Sequence, residues 1–186
     1  STTYMPGGKY APCCQWAGKH FDSINDVVKV VGGQFLQGKI TVECKNSCPA
    51  EHPGYRDTFE QYSTDYQTVD IQFLDFRNNN LCNLKCRSCG PQFSTSWASE
   101  IKHNFVHLFE PTDIESIDLK NCKKIYFAGG EPLLNPQHYE LLNKLLEQGY
   151  SPELMYSTNT TVLNLKDQSV KDLWPKFSRV FVNASI

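Results

Sequence analysis

The sequence has no excess of either charge, with 18 basic against 20 acidic side chains in 186 residues and a formal net charge of −2. That near balance leaves no long-range field to draw in nucleic acid or an anionic membrane. No apolar run approaches the roughly 18 residues of a membrane span. The first residues, STTYMPGGKYAP, lack the basic onset and apolar core of a signal peptide. Internal repeats and low-complexity tracts are missing as well. A soluble, cytoplasmic protein that binds neither membrane nor nucleic acid is the expectation.

Cysteine is what the chain has in unusual supply, 8 in all. That is too few for a disulfide-built miniprotein. The thiols are clustered as Cys13 with Cys14, Cys44 with Cys48, and Cys82 with Cys86 and Cys89, leaving Cys122 alone. In a reducing compartment such clusters bind metal more often than they form disulfides, although Cys44 and Cys48 keep a disulfide as the alternative. Cys122 precedes a strand and is most simply a small apolar filler.

The chain divides near residue 67. Before it the text is irregular and rich in turns, with one helix expected over about 22–31, N-capped by Asp22 or Ser23 and stopped at Gly32. Ile24, Val27, Val28 and Val31 would share its apolar face. Beyond residue 67 the rhythm is regular. Strands are expected at 69–76, 123–128, 153–157 and 179–185, with helices at 93–108, 136–149 and 169–177 between them. Trp97, Ile101, Phe105 and Leu108 would line the first of these helices, and Tyr139, Leu142, Leu145 and Leu146 the second. This alternation predicts an α/β fold with a parallel sheet and about four βα units, preceded by a small irregular Cys-rich α+β segment.

In parallel α/β sheets the chemistry gathers at the carboxyl ends of the strands. The first strand is followed by the cysteine loop, NLCNLKCRSC. The second is followed by Gly129-Gly130-Glu131-Pro132, the third by Ser157-Thr158-Asn159, and the fourth closes on Asn183 and Ser185. All four sets fall on one rim. Three thiolates spaced four and three apart can hold a compact inorganic centre. A cubane iron–sulfur cluster takes four thiolates, one per iron, so three would leave one iron open. Zinc is the alternative, but structural zinc prefers four closed ligands in paired knuckles, and only Cys86 and Cys89 make a knuckle here.

The Cys-x3-Cys-x2-Cys spacing after a strand, with AGGEPLL (128–134) after the next, resembles the radical S-adenosylmethionine enzymes over residues 68–186. The resemblance implies a partial (βα)6 TIM-like barrel and a [4Fe-4S] cluster on Cys82, Cys86 and Cys89. It further implies S-adenosylmethionine on the open iron, reductive cleavage to a 5′-deoxyadenosyl radical, and hydrogen abstraction from a peptide or small-molecule substrate. An electron donor such as flavodoxin or ferredoxin is the implied partner. Gly129 and Gly130 would let the backbone approach the methionine moiety, and Glu131, beside Pro132, would accept a hydrogen bond from its amino group. Read without the resemblance, the same residues make a tight turn into a helix start. Thr158 and Asn159 match polar contacts of the family, and Ser185 a ribose contact. Ser88 stands where the family often has an aromatic residue against adenine, so Arg87 or a backbone group would have to substitute.

Residues 1–67 resemble the auxiliary-cluster appendages called SPASM or twitch domains, through PCCQW (12–16), Cys44-x3-Cys48 and Arg56. That likeness implies a second iron–sulfur cluster, or zinc, on Cys13 or Cys14 with Cys44 and Cys48, and His20 or His52 as substitute ligands. A closed barrel needs about 200 residues or more, and 119 follow residue 67. The chain is therefore expected to be a fragment of a longer polypeptide or to borrow strands from another chain. A non-catalytic metal-binding module is the competing function.

Overall fold

The computed structural model describes residues 2–5, 9–13, 16–37, 39, 41–47, 71–102 and 113–185. In chain order the elements begin with strands β1 (Thr2–Met5) and β2 (Lys9–Ala11). Helix α1 (Ile24–Val27) continues through a π-helical turn (Val28–Gly32) into α2 (Gly33–Leu36), and α3 spans Val42–Ser47. Then come β3 (Phe73–Phe76), α4 (Thr95–Glu100), β4 (Lys124–Phe127), α5 (Pro136–Glu147) and β5 (Glu153–Thr158). A small hairpin, β6 (Asn164–Leu165) and β7 (Gln168–Ser169), leads into α6 (Val170–Leu173) and finally β8 (Arg179–Ala184).

The sheet has six strands in the order β2-β1-β3-β4-β5-β8. The pairs β3–β4, β4–β5 and β5–β8 are parallel, as the alternation of elements predicts. Two strands were not expected. β1 pairs parallel with β3, Thr3 beside Asp75, and β2 returns antiparallel against β1. The described strands of the first segment thus extend the same sheet across residue 67.

Side-chain parity explains the layers. Leu74, Phe76, Ile125, Phe127, Leu154 and Tyr156 are at most 2% exposed, and they form one core with Tyr139, Leu141, Leu142 and Leu145 of α5. Alternate positions face the other way and are polar except at Phe73 and Met155. There Lys124 meets Glu153 at 3.3 Å, the Tyr126 and Ser157 hydroxyls lie 2.7 Å apart, and Arg77 sits 5.3 Å over the Tyr126 ring. Helix α5 starts where Asn135 caps the Gln137 N–H and Pro136 supplies a preset φ.

Two helical expectations need correction. Ser23 caps α1 as read, but Gly32 does not stop the helix, and Val28 is exposed while Val27 and Val31 are buried. The helix expected at 93–108 runs only over Thr95–Glu100, with Ile101 as its C-cap and Lys102 at a left-handed φ of +52; Ile101 is 51% exposed, and Ala98 is the fully buried residue. Periodicity tells which residues share a face, not which face is covered. Phe105 and Leu108 lie outside the described residues, as do residues 69–70 of the first strand.

His138 is fully buried between sheet and helix. Its Nε2 lies 2.8 Å from the Tyr156 hydroxyl, and its Nδ1 has no hydrogen-bond partner among the described residues. Burial alone pulls its pKa down from 6.5 to about 3. Between those values the unfolded chain takes up a proton that the folded chain refuses, so stability rises with pH across that window and falls on acidification. By pH 5 this one ring is expected to cost about 2 kcal/mol. Urea unfolding at pH 7 and pH 5 measures it, and the double variant His138→Phe, Tyr156→Phe should flatten that dependence.

Candidate functional site

The carboxyl end of β3 leads into an irregular stretch, 77–94, that carries the three clustered cysteines. Its first part is an amide network. Asn78, Asn79 and Asn80 are 2%, 9% and 3% exposed. The Asn78 side-chain amide donates to Gln137 Oε1 at 2.7 Å, and its carbonyl accepts from Asn135 Nδ2 at 2.7 Å and Asn79 Nδ2 at 3.1 Å. Asn79 Oδ1 accepts the Leu81 N–H at 2.8 Å. Neutral amides can be buried because they satisfy one another. The network ties the loop to the N-terminus of α5.

The second part wraps the start of α4. Ser94, fully buried, caps the helix at the Trp97 N–H and donates to the Leu84 carbonyl at 2.7 Å. Thr95 and Ser96 hydroxyls donate to the Cys82 carbonyl at 3.1 and 2.8 Å, and Thr95 Oγ1 also accepts the Cys82 N–H at 3.2 Å. The Trp97 indole N–H donates to the Cys86 carbonyl at 3.0 Å, and the Cys89 N–H to that same carbonyl at 3.0 Å. The backbone of the loop is therefore pinned, and the sulfurs are left for other use. Cys82 and Cys89 are half-buried and Cys86 is exposed. Burial raises the Cys89 thiol pKa above its ordinary value. A backbone hydrogen bond from Gly90 works against that rise, and the nearby Cys82 and Cys86 thiols add to it.

Gly129 and Gly130 belong to this site by close approach. Gly129 has φ +114, and a Cβ there would lie 2.9 Å from the Asn79 carbonyl oxygen. A Cβ on Gly130 would overlap the Leu81 carbonyl oxygen and stand 2.6 Å from the Asn80 carbonyl carbon. The Gly130 and Glu131 N–H groups donate to the Asn79 and Leu81 carbonyls at 3.2 and 2.6 Å. The turn after β4 is docked on the backbone just ahead of Cys82.

Glu131 is 1% exposed and joins three elements. Its Oε1 accepts from the Leu133 N–H at 3.1 Å and the Thr158 hydroxyl at 2.5 Å, and its Oε2 from the Asn159 N–H at 2.7 Å. Pro132 opens the short 3-10 helix Pro132–Leu134 that Glu131 caps. This is the turn-and-cap arrangement, and it leaves part of the carboxylate's acceptor capacity unassigned. Asn159 reaches back to the cysteine loop, donating to Asn83 Oδ1 at 2.9 Å and lying 3.9 Å from Cys82 Sγ. The Ser185 N–H donates to the Thr158 carbonyl at 2.8 Å, bringing the end of β8 to the same rim.

The remaining expected residues separate from this rim or fall outside the structure described. Cys44 is half-buried in α3, its N–H held by Thr41 Oγ1 at 3.1 Å, and Cys13 is half-buried after β2. Cys14, Cys48, His52 and Arg56 lie outside the described residues. Cys122 is buried, its thiol pushed up to about 12 by burial, in keeping with a filler. Among the described residues no three His, Cys, Asp or Glu side chains converge as ligands of one ion. A cubane spreads its thiolates over separate irons, a different demand from ligation of a single ion. Among the described residues no helix is long and apolar enough to cross a membrane.

Sequence reading missed the buried amides Asn78–Asn80, the hydroxyl and indole donors of α4, and the clamp by Glu131. Three consecutive asparagines immediately before a cysteine motif were the available signal.

Comparison with known proteins places these observations. Residues 78–184 match the family described as 4Fe-4S single cluster domain. Over 104 residues the chain is 32% identical to GTP 3′,8-cyclase of Campylobacter lari, covering 55% of this chain and 31% of that protein. Over 103 residues it is 27% identical to GTP 3′,8-cyclase of Sulfurimonas denitrificans, covering 55% and 32%. The chain thus spans about a third of the length of these curated relatives. No solved structure matches it.

Proposed function

The chain belongs to the 4Fe-4S single cluster domain family, and on that premise we propose that it is a radical S-adenosylmethionine enzyme, or the cluster-bearing part of one. Its parallel sheet would form part of a (βα)6 barrel. The observation that carries this reading is the docking of Gly129-Gly130-Glu131 onto the backbone ahead of Cys82. Two motifs some forty residues apart in sequence meet at one rim, as the resemblance requires.

The donor set fits a [4Fe-4S] cluster. Cys82, Cys86 and Cys89 would hold it, three soft ligands on a loop whose carbonyls are already occupied by Thr95, Ser96 and Trp97. When bound, the cluster would supply the one electron for reductive cleavage of S-adenosylmethionine, the chemistry from which hydrogen abstraction follows. The chain's own residues provide placement. Gly130 brings the turn after β4 against the loop, Glu131 fixes the end of β5 through Thr158 and Asn159, and Ser185 lies along the same rim. By the resemblance, the remaining acceptor position of the buried Glu131 carboxylate would take an amino group.

The substrate class is a peptide or a small molecule. The GTP 3′,8-cyclase names of the relatives support the second, and the SPASM-like reading of residues 1–67 supports the first. Cys13, Cys14, Cys44 and Cys48 remain the proposed holders of a second iron–sulfur cluster or zinc, and flavodoxin or ferredoxin the proposed electron donor. Anaerobic reconstitution with iron and sulfide tests the core reading. The protein should turn brown and, with dithionite and S-adenosylmethionine, release 5′-deoxyadenosine. A colourless protein that carries zinc and releases none would point instead to a metal-binding module.

A further inference from the structure

The side chain of Asn159 is oriented from both sides. Its Oδ1 accepts from the Thr161 N–H at 3.0 Å and the Thr161 hydroxyl at 2.7 Å. Its amide nitrogen must therefore face the other way, where one N–H meets Asn83 Oδ1 at 2.9 Å and the other is directed at Cys82 Sγ, 3.9 Å away. Asn83 in turn donates to Thr161 Oγ1 at 2.8 Å, closing a ring of three side chains. The Asn159 backbone N–H is taken by Glu131 Oε2. The next residue, Thr160, holds a left-handed φ of +54, an uncommon conformation for a β-branched residue. Such a conformation persists only where its surroundings enforce it. Every bond around Asn159 sets the direction of one N–H.

We propose that Asn159 is a positioning residue that donates a hydrogen bond to the Cys82 thiolate and so raises the reduction potential of the cluster this cysteine would hold. This rests on the reading of Cys82 as a cluster ligand. The physics is electrostatic. Reduction adds negative charge to the cluster and its sulfurs, and a fixed N–H dipole aimed at a sulfur stabilises the reduced form more than the oxidised one. The Leu84 N–H, 3.5 Å from the same sulfur, acts in the same sense from within the loop. Asn159 differs because it comes from the end of β5, so the potential is coupled to the strand that Glu131 clamps.

The test is a redox titration of the reconstituted chain followed by electron paramagnetic resonance, with Asn side-chain amides labelled with 15N. The wild type should show hyperfine coupling from a side-chain amide nitrogen. Asn159→Leu, which keeps the volume and removes the donor, should lose that coupling and shift the midpoint to more negative values. Asn159→Asp should shift it further in the same direction. Thr161→Val, which frees one side of the amide, should give a smaller negative shift and decides the matter if Asn159→Leu does not fold. No amide coupling in the wild type, or the same midpoint in wild type and variants, overturns the proposal while leaving the cluster reading intact. Failure of the wild type itself to give a [4Fe-4S] signal overturns the reading beneath it.

Discussion

Replacing Cys82, Cys86 and Cys89 together by alanine is expected to abolish 5′-deoxyadenosine release and to remove the iron and sulfide of the rim cluster, while the fold survives. The loop is not held by its sulfurs. Its shape comes from the Asn78–Asn80 amides, from Ser94, Thr95, Ser96 and Trp97, and from the docked Gly130 turn. Half-buried and exposed thiols contribute little packing, so thermal unfolding of the metal-free variant should stay close to that of the metal-free wild type. The loss of chemistry should be complete, because no other described side chain offers a substitute thiolate at that loop. Iron and sulfide analysis, product chromatography and a melting curve on the same preparation check all three points. Residual cleavage by the triple variant would show that the assignment of these residues is wrong.

The second large effect comes from a single methyl group. Gly130→Ala would drive a Cβ into the Leu81 carbonyl oxygen and to within 2.6 Å of the Asn80 carbonyl carbon. These are backbone atoms, and they cannot swing aside as a side chain can. The Glu131 N–H to Leu81 bond and the Gly130 N–H to Asn79 bond would have to lengthen or break. The expected cost is on the order of 3 kcal/mol, in the range of overpacking combined with lost buried hydrogen bonds. Cluster loading should fall with it although every cysteine is present. Gly149→Ala is the control. Gly149 also has a left-handed φ, +72, but a Cβ there meets nothing within 4 Å. It should cost about 1 kcal/mol and leave loading untouched. Chemical unfolding and iron content of the two variants, side by side, separate close approach from backbone conformation.

The helix α5 and the strands β4 and β5 were legible because their apolar residues repeat with the period of the element, whereas β3 and β8 were legible as short apolar runs, β3 buried throughout and β8 mostly exposed. The rim was legible for the same reason, since knowing where strands end tells where loop chemistry gathers. Strand β1 was not. TTYM is short, lies among turn residues, and gains its place only by pairing with a strand some seventy residues later, which no local pattern records. Trp97 was read as a core residue from its spacing, yet its indole N–H serves the Cys86 carbonyl. Asn78, Asn79 and Asn80 drew no reading, because residue type says nothing of mutual satisfaction. Glu131 and Asn159 were found by motif, but their bonds to Thr158 and toward Cys82 depend on two strand ends meeting across the sheet.

In the proposed centre, three thiolates of this loop would leave one iron of a cubane open to S-adenosylmethionine. Mössbauer spectroscopy of the 57Fe-reconstituted chain, with and without S-adenosylmethionine, tests it most directly. One iron of the rim cluster should change its isomer shift and quadrupole splitting when the nucleotide is added, and the other three should not. A rim cluster whose four irons all ignore S-adenosylmethionine, or a loop that takes up one zinc and no sulfide, would contradict it.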